Sequence, residues 1–178
     1  MICNKLKECV EKQFVNEPIK NCSNKQAICI ETSDKRTKVK CEERKKKYIL
    51  ENTMKNHVIL YKMDGGIILD DKSVPQETCK CDYLFAINSM ERIAVLVELK
   101  GVDVPHSLKQ IDGTLSKFKD FFSSFEHVYG RVVVASSTPN IKASPAYVNL
   151  VKRFRNTYGG NLSIAERQLE EKDIELSQ

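Results

Sequence analysis

An α/β fold is predicted for this chain of 178 residues, with a mixed β-sheet and helices on both sides of it. Two observations predict it. Several apolar strand segments are followed in order by a helix, a strand and a second helix, and the helical segments carry apolar residues every three or four positions. The strand predicted at residues 131–135 is apolar at every position after Arg131, which is typical of strands buried in α/β sheets.

The chain is predicted to divide into three parts. Residues 1–47 are expected to form a polar, basic, cysteine-containing extension, helical or irregular, that packs on the core. Residues 48–165 are expected to be that core, and this length is enough to bury a substantial apolar interior. Residues 166–178 are expected to form a charged C-terminal helix or tail.

The extension carries only weak patterns. Leu6, Val10 and Phe14 lie four residues apart and predict the buried stripe of a first helix, which Pro18 would end. Residues 26–32 predict a short strand or a helical turn.

Four strands are predicted in the first half of the core, at residues 57–61, 67–69, 80–87 and 93–100. Asp64, Gly65 and Gly66 would form the turn between the first two, because Asp-Gly favours tight hairpins. The alternative for Asp64 is a supporting acid near a metal site. Residues 70–76 are expected to be a loop.

An amphipathic helix is predicted over residues 106–125, after a connection at residues 102–105. Its apolar side consists of Leu108, Ile111, Leu115, Phe118, Phe122 and Phe125. This spacing predicts a helix that packs on the sheet.

A second helix is predicted at residues 146–155, after the strand at 131–135. Ser144 is its expected N-cap, Pro145 lies in its first turn, and Gly159 and Gly160 would end it. Its expected buried residues are Val148, Val151 and Phe154, or their neighbours. Residues 162–165 predict an edge strand.

Charge is unevenly distributed along the chain. The net charge is +5, from 29 basic and 24 acidic residues, and eight of the basic residues lie between positions 35 and 47. Such a run can neutralise nucleic-acid phosphates, and a solvated, partly disordered segment is the alternative. Because no apolar run approaches a membrane span and no signal segment is present, the protein is expected to be cytoplasmic, without a membrane partner.

Seven cysteines are present, and an odd number in a chain without a secretory signal argues against a disulfide framework. No Cys-x-x-Cys spacing occurs, so reduced, partly buried thiols are favoured over a structural zinc site. Cys81 adjoins Asp82 on a predicted strand and is expected to point to the opposite face.

Three charged residues stand where two apolar strands would carry core residues: Asp82, Glu98 and Lys100. Glu98 and Lys100 are two apart, so on a strand they share a face. Asp82 and Glu98 each lie eight residues from Met90, so a symmetric hairpin would place their carboxylates opposite each other, with Cβ atoms roughly 5 Å apart. A divalent metal ion would neutralise such a pair, and Lys100 could stabilise an anionic substrate or transition state. The alternative is that these charges mark where buried strands reach solvent.

An Asp followed by Glu-x-Lys at the end of an apolar strand resembles the PD-(D/E)XK nuclease superfamily, which has the restriction-endonuclease-like fold. The resemblance covers roughly residues 63–135, under half of the chain. Gly101 follows the lysine, and Gln110 lies on the next helix, where many members carry a glutamine. Cys81 stands where the name of the superfamily has proline. Some members also use an upstream glutamate, and the sequence does not select one from Glu8, Glu11, Glu31, Glu42 and Glu43.

The resemblance implies a divalent-metal-dependent nuclease acting on phosphodiester bonds, with DNA favoured over RNA and a homodimer compatible with it. Asp82 and Glu98 would bind Mg²⁺ or Mn²⁺, with the backbone carbonyl of Leu99 as a further ligand. Lys100 would assist the attacking water or the transition state, and Gln110 would position water or backbone. The candidate nucleic-acid-binding residues are Lys45, Lys46, Lys47, Lys117 and Arg153.

Several alternatives stay open. The same fold can serve as a non-catalytic module that binds nucleic acid or another partner. His57, His106 and His127 could belong to a metal-independent nuclease or a Cys/His hydrolase, although none lies in a recognisable motif. Lys117 could be an ordinary surface-helix residue, and Arg153 could complement a helix dipole.

Overall fold

The computed structural model describes residues 1–19, 22, 29–69, 74–75, 77–136 and 139–176. The helices are α1 (Leu6–Phe14), α2 (Val104–Lys117), α3 (Lys119–Phe122) and α4 (Pro145–Tyr158). The first strands are β1 (Ile30–Asp34), β2 (Lys38–Glu43), β3 (Lys46–Glu51), β4 (His57–Lys62) and β5 (Tyr83–Asn88). The later strands are β6 (Arg92–Lys100), β7 (His127–Val134), β8 (Leu162–Glu166) and β9 (Gln168–Lys172). Short 3₁₀ turns occupy Ile141–Ala143 and Asp173–Glu175.

The main sheet is mixed and has six strands in the order β1-β4-β5-β6-β7-β8. β1, β4, β5 and β6 pair antiparallel, whereas β6, β7 and β8 pair parallel. Parallel neighbours need a crossover, and α2 and α4 supply the two crossovers that lead into β7 and β8. The predicted α/β class with a mixed sheet is therefore confirmed, and β8 is the predicted edge strand.

The two faces of the main sheet are covered differently. One face packs against α1, α2 and α4, since Leu84 and Leu96 of the sheet belong to the same buried apolar cluster as Leu6, Leu108 and Phe154 of these helices. The other face is covered by a second sheet of three strands, in the order β2-β3-β9. Tyr48 of that sheet meets Phe85 edge to face at 5.0 Å. The prediction of helices on both sides was wrong, because strands from the two ends of the chain cover this face instead.

The extension predicted at residues 1–47 is not only helical or irregular. α1 forms as predicted and ends at Phe14, before Pro18. β1 forms one edge of the main sheet. β2 pairs with β3, and β3 spans the boundary predicted at position 47. Of the stretch predicted at 26–32, residues 26–28 lie outside the described residues, and β1 begins at Ile30.

Three element predictions need correction. Residues 67–69 do not form a strand; Ile68 makes only isolated bridges to Ile2 and Asp64. The helix predicted at 106–125 is interrupted at Phe118, where the backbone leaves helical geometry at φ −109° and ψ 30°. The C-terminal helix is replaced by β9, which pairs in parallel with β3 and turns Leu169 inward.

Helix α4 confirms the predicted capping. The Ser144 hydroxyl accepts a hydrogen bond from the Tyr147 backbone N–H, and Pro145 occupies the first turn. Gly159 ends the helix with φ +57°, a left-handed conformation that glycine adopts without steric cost. The buried residues are Leu150, Phe154 and Tyr158, whereas the predicted Val148 is exposed. Among the described residues, no helix combines the length and the apolar character needed to cross a membrane.

Gly130 lies in β7 where a larger side chain has no room. A Cβ atom there would lie 2.6 Å from Cζ of the buried Phe154 ring and 2.8 Å from Cδ1 of Leu162. We therefore expect Gly130→Ala to lower the free energy of unfolding by about 1–3 kcal/mol, measured by urea denaturation. Gly101→Ala is the matched control, because a Cβ there meets nothing within 4 Å. Equal stability of the two variants would contradict the prediction.

Candidate active site

The predicted motif strands form a symmetric hairpin. β5 and β6 pair from Tyr83↔Val97 to Asn88↔Arg92, so the hairpin is centred on Met90 as the sequence predicts. Asp82 lies one residue before the ladder, and Glu98 and Lys100 lie at the carboxyl end of β6. The structure therefore brings together the ends of both strands that carry the predicted charged residues.

Backbone hydrogen bonds hold Asp82 between two strands. The Leu99 N–H donates to Asp82 Oδ2 at 2.6 Å, and the Met63 N–H donates to the Asp82 carbonyl at 2.8 Å. Leu99 is predicted to bind the metal ion through its backbone carbonyl. In the structure its backbone N–H donates to the carboxylate of Asp82, another predicted ligand. Cys81 belongs to the same apolar cluster as Leu84, on the helix side of the sheet. Residues three apart on a regular strand would face opposite sides, so the alternation predicted from Cys81 onward begins only with β5, at Tyr83.

Glu98 is the most unusual residue of the site. It is 2 % exposed, and its Oε2 atom has no hydrogen-bond partner in the part of the chain that the structure describes. Burial and, to a smaller extent, the nearby Asp82 raise the pKa of Glu98 to about 9, although the positive charge of Lys100 acts to lower it. A buried carboxyl with an unpaired oxygen is costly unless a proton or a cation accompanies it.

Asp82 is half-buried and shares the electrostatic environment of Glu98. Burial raises the pKa of Asp82 to about 6, and the carboxylates of Glu43 and Asp64 also raise it. The hydrogen bond from the Leu99 N–H and the positive charge of Lys100 lower the pKa of Asp82. The site therefore concentrates negative charge, and the positive charge of Lys100 lowers the pKa of both Asp82 and Glu98.

A cleft of about 270 Å³ opens beside Asp82. Its walls are formed by Glu43, Lys62, Asp64, Gly65, Asp82 and Tyr83. Glu98 does not line this cleft, because its side chain is buried. Asp64 lies in the predicted turn, pairs with Lys80 at 2.9 Å, and contributes a carboxylate to the cleft wall.

The sequence did not select Glu43 and did not single out Lys62. Glu43 ends β2, and only the stacking of the second sheet on the first brings it beside Asp82. Two other upstream candidates are engaged on the surface, since Glu8 pairs with Lys12 at 2.9 Å and Glu11 pairs with Arg92. No sequence signal distinguishes Glu43, because its position depends on contacts between distant segments.

Gln110 lies on α2 and binds the segment that leads to Asp82. Its Oε1 accepts a hydrogen bond from the Lys80 N–H at 2.6 Å, and its Nε2 lies 2.6 Å from Nε2 of His106. One turn further, the Thr114 hydroxyl accepts from the Cys81 N–H at 2.8 Å. Gln110 thus binds the backbone two residues before Asp82.

The candidate nucleic-acid-binding residues do not form one surface. Lys45 is exposed at the β2–β3 turn, whereas Lys46 is 6 % exposed and donates to the Arg44 carbonyl. Lys47 pairs with Glu42 at 3.4 Å. On the helices, Lys117 is exposed and lines a different cleft, together with residues of α1.

Arg153 joins two helices. Its Nη1 atom binds the carboxylate of Asp112 at 2.5 Å and the hydroxyl of Ser116 at 2.9 Å. These contacts tie α4 to α2, so Arg153 is engaged within the protein.

The three histidines lie apart from one another. His57 binds the Ser33 hydroxyl at 2.9 Å, and burial lowers the pKa of His57. His106 contacts Gln110, and His127 lies between Glu91 and the Gly159 carbonyl. Their separate structural contacts give no support to a Cys/His hydrolase.

The described residues do not by themselves complete a metal-binding site. In the described part of the chain, no group of three or more His, Cys, Asp or Glu side chains could hold a metal ion. Mg²⁺, however, commonly takes one or two carboxylates and completes its shell with water and substrate phosphate. Asp82 and Glu98 supply that number of carboxylates, and the unpaired Oε2 of Glu98 is an oxygen that a cation would satisfy.

We expect the metal-free protein to lose stability as the pH rises. A carboxyl whose pKa is raised from 4.5 to about 9, as for Glu98, keeps its proton in the folded state after the unfolded chain has lost it. The free energy of unfolding then falls with pH, by about 1.4 kcal/mol per pH unit for each such proton. Asp82 adds to this slope only below its pKa of about 6.

Urea denaturation in EDTA between pH 6 and 9 measures this slope. Glu98→Gln has no proton to lose, so the difference between its free energy of unfolding and that of the wild type should change across this range. Parallel curves for the two proteins would show that Glu98 is ionised normally.

No protein-family model matches the chain, and neither a curated protein nor a solved structure does. What the chain does is therefore inferred from its own residues and their geometry.

Proposed function

We propose that the chain is a divalent-metal-dependent nuclease that hydrolyses phosphodiester bonds, with DNA as the favoured substrate. The observation that carries this proposal is the buried Glu98 carboxyl, whose Oε2 has no described partner and which lies close enough to Asp82 for the two carboxyls to repel. Acidic pairs of this kind are found where a cation belongs. The mixed sheet is compatible with the restriction-endonuclease-like fold that the motif resembles, and we include that fold in the proposal.

Each residue has a distinct role in the proposed reaction. Asp82 and Glu98 would hold Mg²⁺ or Mn²⁺, which when bound would activate a water molecule and stabilise charge on the scissile phosphate. The positive charge of Lys100 lowers the pKa of both carboxyls. In the proposed reaction Lys100 would orient the attacking water or stabilise an anionic transition state. Gln110 holds the backbone before Asp82 through Lys80.

Two lysines lie at or near the cleft, whose other charged wall residues are acidic. Lys62 lines it beside Asp64 and Asp82, and the exposed Lys45 follows closely after Glu43 in its wall. An acidic cleft repels phosphate unless a metal ion neutralises it, so substrate binding and metal binding should depend on each other.

The direct test is incubation of the purified protein with single- and double-stranded DNA and RNA, in Mg²⁺, in Mn²⁺ and in EDTA. Cleavage that needs the metal ion, and that is lost when Asp82 is replaced by Asn, would support the proposal and name the substrate. Salt-sensitive binding without cleavage in any metal would replace the nuclease with a non-catalytic nucleic-acid-binding module.

A further inference from the structure

The turn between β2 and β3 has an unusual composition for its geometry. The two strands pair as far as Glu43↔Lys46, which leaves Arg44 and Lys45 as a two-residue turn. Both residues have positive φ, +46° and +66°, as a type I′ hairpin turn requires. Asn-Gly is the favoured pair for this turn, because long side chains are strained in the left-handed region. The chain thus places two cationic residues where smaller residues would fit with less strain.

The turn is rigidly supported. β3 is the middle strand of its sheet, and the Lys47 N–H donates to the Arg167 carbonyl at 2.9 Å beside β9. The Lys46 ammonium is buried and donates to the Arg44 carbonyl at 3.3 Å. A strained conformation that its surroundings hold in place is a recurrent feature of binding sites.

The charges at the tip are available to a ligand. Arg44 and Lys45 are exposed, and neither forms a salt bridge with a residue in the described ranges. The lysines on the strands behind them differ, because Lys38 pairs with Glu170 at 2.7 Å and Lys47 pairs with Glu42. The unpaired positive charge of this hairpin is therefore concentrated at its tip.

The tip lies at the rim of the candidate active site. Glu43, immediately before the turn, lines the cleft with Asp82, and its carboxylate raises the pKa of Asp82. A nucleic acid held by the tip would therefore pass the candidate catalytic residues.

The shape of the tip favours one class of partner. The major groove of B-form DNA is about 12 Å wide and admits a two-stranded β-ribbon. The major groove of A-form RNA is deep and narrow and excludes such a ribbon. Single strands are bound mainly by stacking on aromatic side chains, which this tip lacks.

We propose that the Arg44–Lys45 tip enters the major groove of duplex DNA, contacts the phosphates on its sides, and holds the duplex against the cleft. This inference rests on the proposed nuclease function and names duplex DNA as its substrate class.

The test replaces the tip by the pair that its geometry favours, in the double variant Arg44→Asn with Lys45→Gly. Binding of a fluorescent duplex is measured by anisotropy in EDTA, which prevents metal-dependent cleavage, over a series of salt concentrations. The loss of two phosphate contacts should reduce the slope of log K against log[salt] by about 2. Relief of strain should keep the melting temperature equal to that of the wild type or raise it.

Lys55→Gly is the matched control. Lys55 is also an exposed lysine with positive φ, +53°, but it lies beyond the other end of β3. This variant should relieve the same kind of strain and leave the slope for duplex DNA unchanged.

The outcomes separate this inference from the proposed function. An unchanged slope in the double variant, or an equal loss of affinity for single-stranded DNA or duplex RNA, would overturn the inference even if the wild type cleaves DNA. A reduced slope specific to duplex DNA would support the inference even if no metal gives cleavage, in which case only the nuclease proposal fails.

Discussion

Asp82→Asn and Glu98→Gln are each expected to abolish metal-dependent cleavage and to leave the protein folded. Each change replaces a carboxylate by an amide of nearly the same shape, so the packing is kept while a metal ligand and its charge are lost. We expect the cleavage rate to fall by at least about 100-fold, the order found when a single group that stabilises transition-state charge is removed. The measurement is the initial cleavage rate of the substrate identified for the wild type.

The same two variants should lose stabilisation by Mn²⁺. A ligand that binds only the folded state stabilises it by about 2.7 kcal/mol when its concentration is 100 times its dissociation constant. For a chain of this size that corresponds to a rise in melting temperature of roughly 5–10 °C. Wild type should show this rise in Mn²⁺, and both variants should melt at the same temperature in Mn²⁺ and in EDTA.

Lys100→Ala distinguishes loss of metal binding from loss of the hydrolysis step. Because Lys100 is not a metal ligand in the proposal, this variant should keep most of the rise in melting temperature and still lose cleavage. Lys109→Ala changes an exposed lysine of α2 and is the control, with both properties kept. A wild type that gains no stability in millimolar Mn²⁺ would contradict the metal site itself.

The central hairpin could be predicted because its pattern is local. Apolar runs on either side of Met90 have equal length, and the register of β5 and β6 follows from that symmetry. The cap of α4 is equally local, since Ser144 and Pro145 act within one turn of the helix. Local signals of this kind fix Asp82, Glu98 and Lys100 at neighbouring strand ends before any tertiary contact is known.

The second sheet could not be predicted, because its pairing joins distant segments. β9 is short and charged, and only its parallel pairing with β3, more than a hundred residues earlier, makes it a strand. The same sheet brings Glu43 to Asp82. The sequence therefore predicts Asp82 as a site residue but does not predict that Glu43 lies in the same cleft. The high charge of residues 166–178 predicts a helix or tail, whereas Leu169 and Glu171, at alternate positions of β9, are less exposed than their neighbours.

Glu171 on β9 is expected to be essential for stability. A residue in a frayed C-terminal tail would not have this effect. Its Oε1 accepts hydrogen bonds from the Tyr48 hydroxyl at 2.7 Å and from Arg131 Nε at 2.8 Å. Arg131 is 3 % exposed, also donates hydrogen bonds to the Gly130 carbonyl and to Asn161, and lies over the Tyr129 ring at 5.0 Å from its centroid. Glu171 thus links the second sheet to β7 of the main sheet through a buried charge.

Glu171→Ala should lower the free energy of unfolding by about 3–5 kcal/mol, because it leaves the buried guanidinium of Arg131 without its carboxylate. Glu170→Ala is the matched control on the same strand. Glu170 faces solvent and pairs with the exposed Lys38, so its loss should cost less than about 1 kcal/mol. Urea denaturation of both variants measures the difference. Equal, small effects would mean that β9 contributes little to the stability of the main sheet, and a large effect confined to Glu171→Ala would show that the C-terminal strand is an integral part of the core.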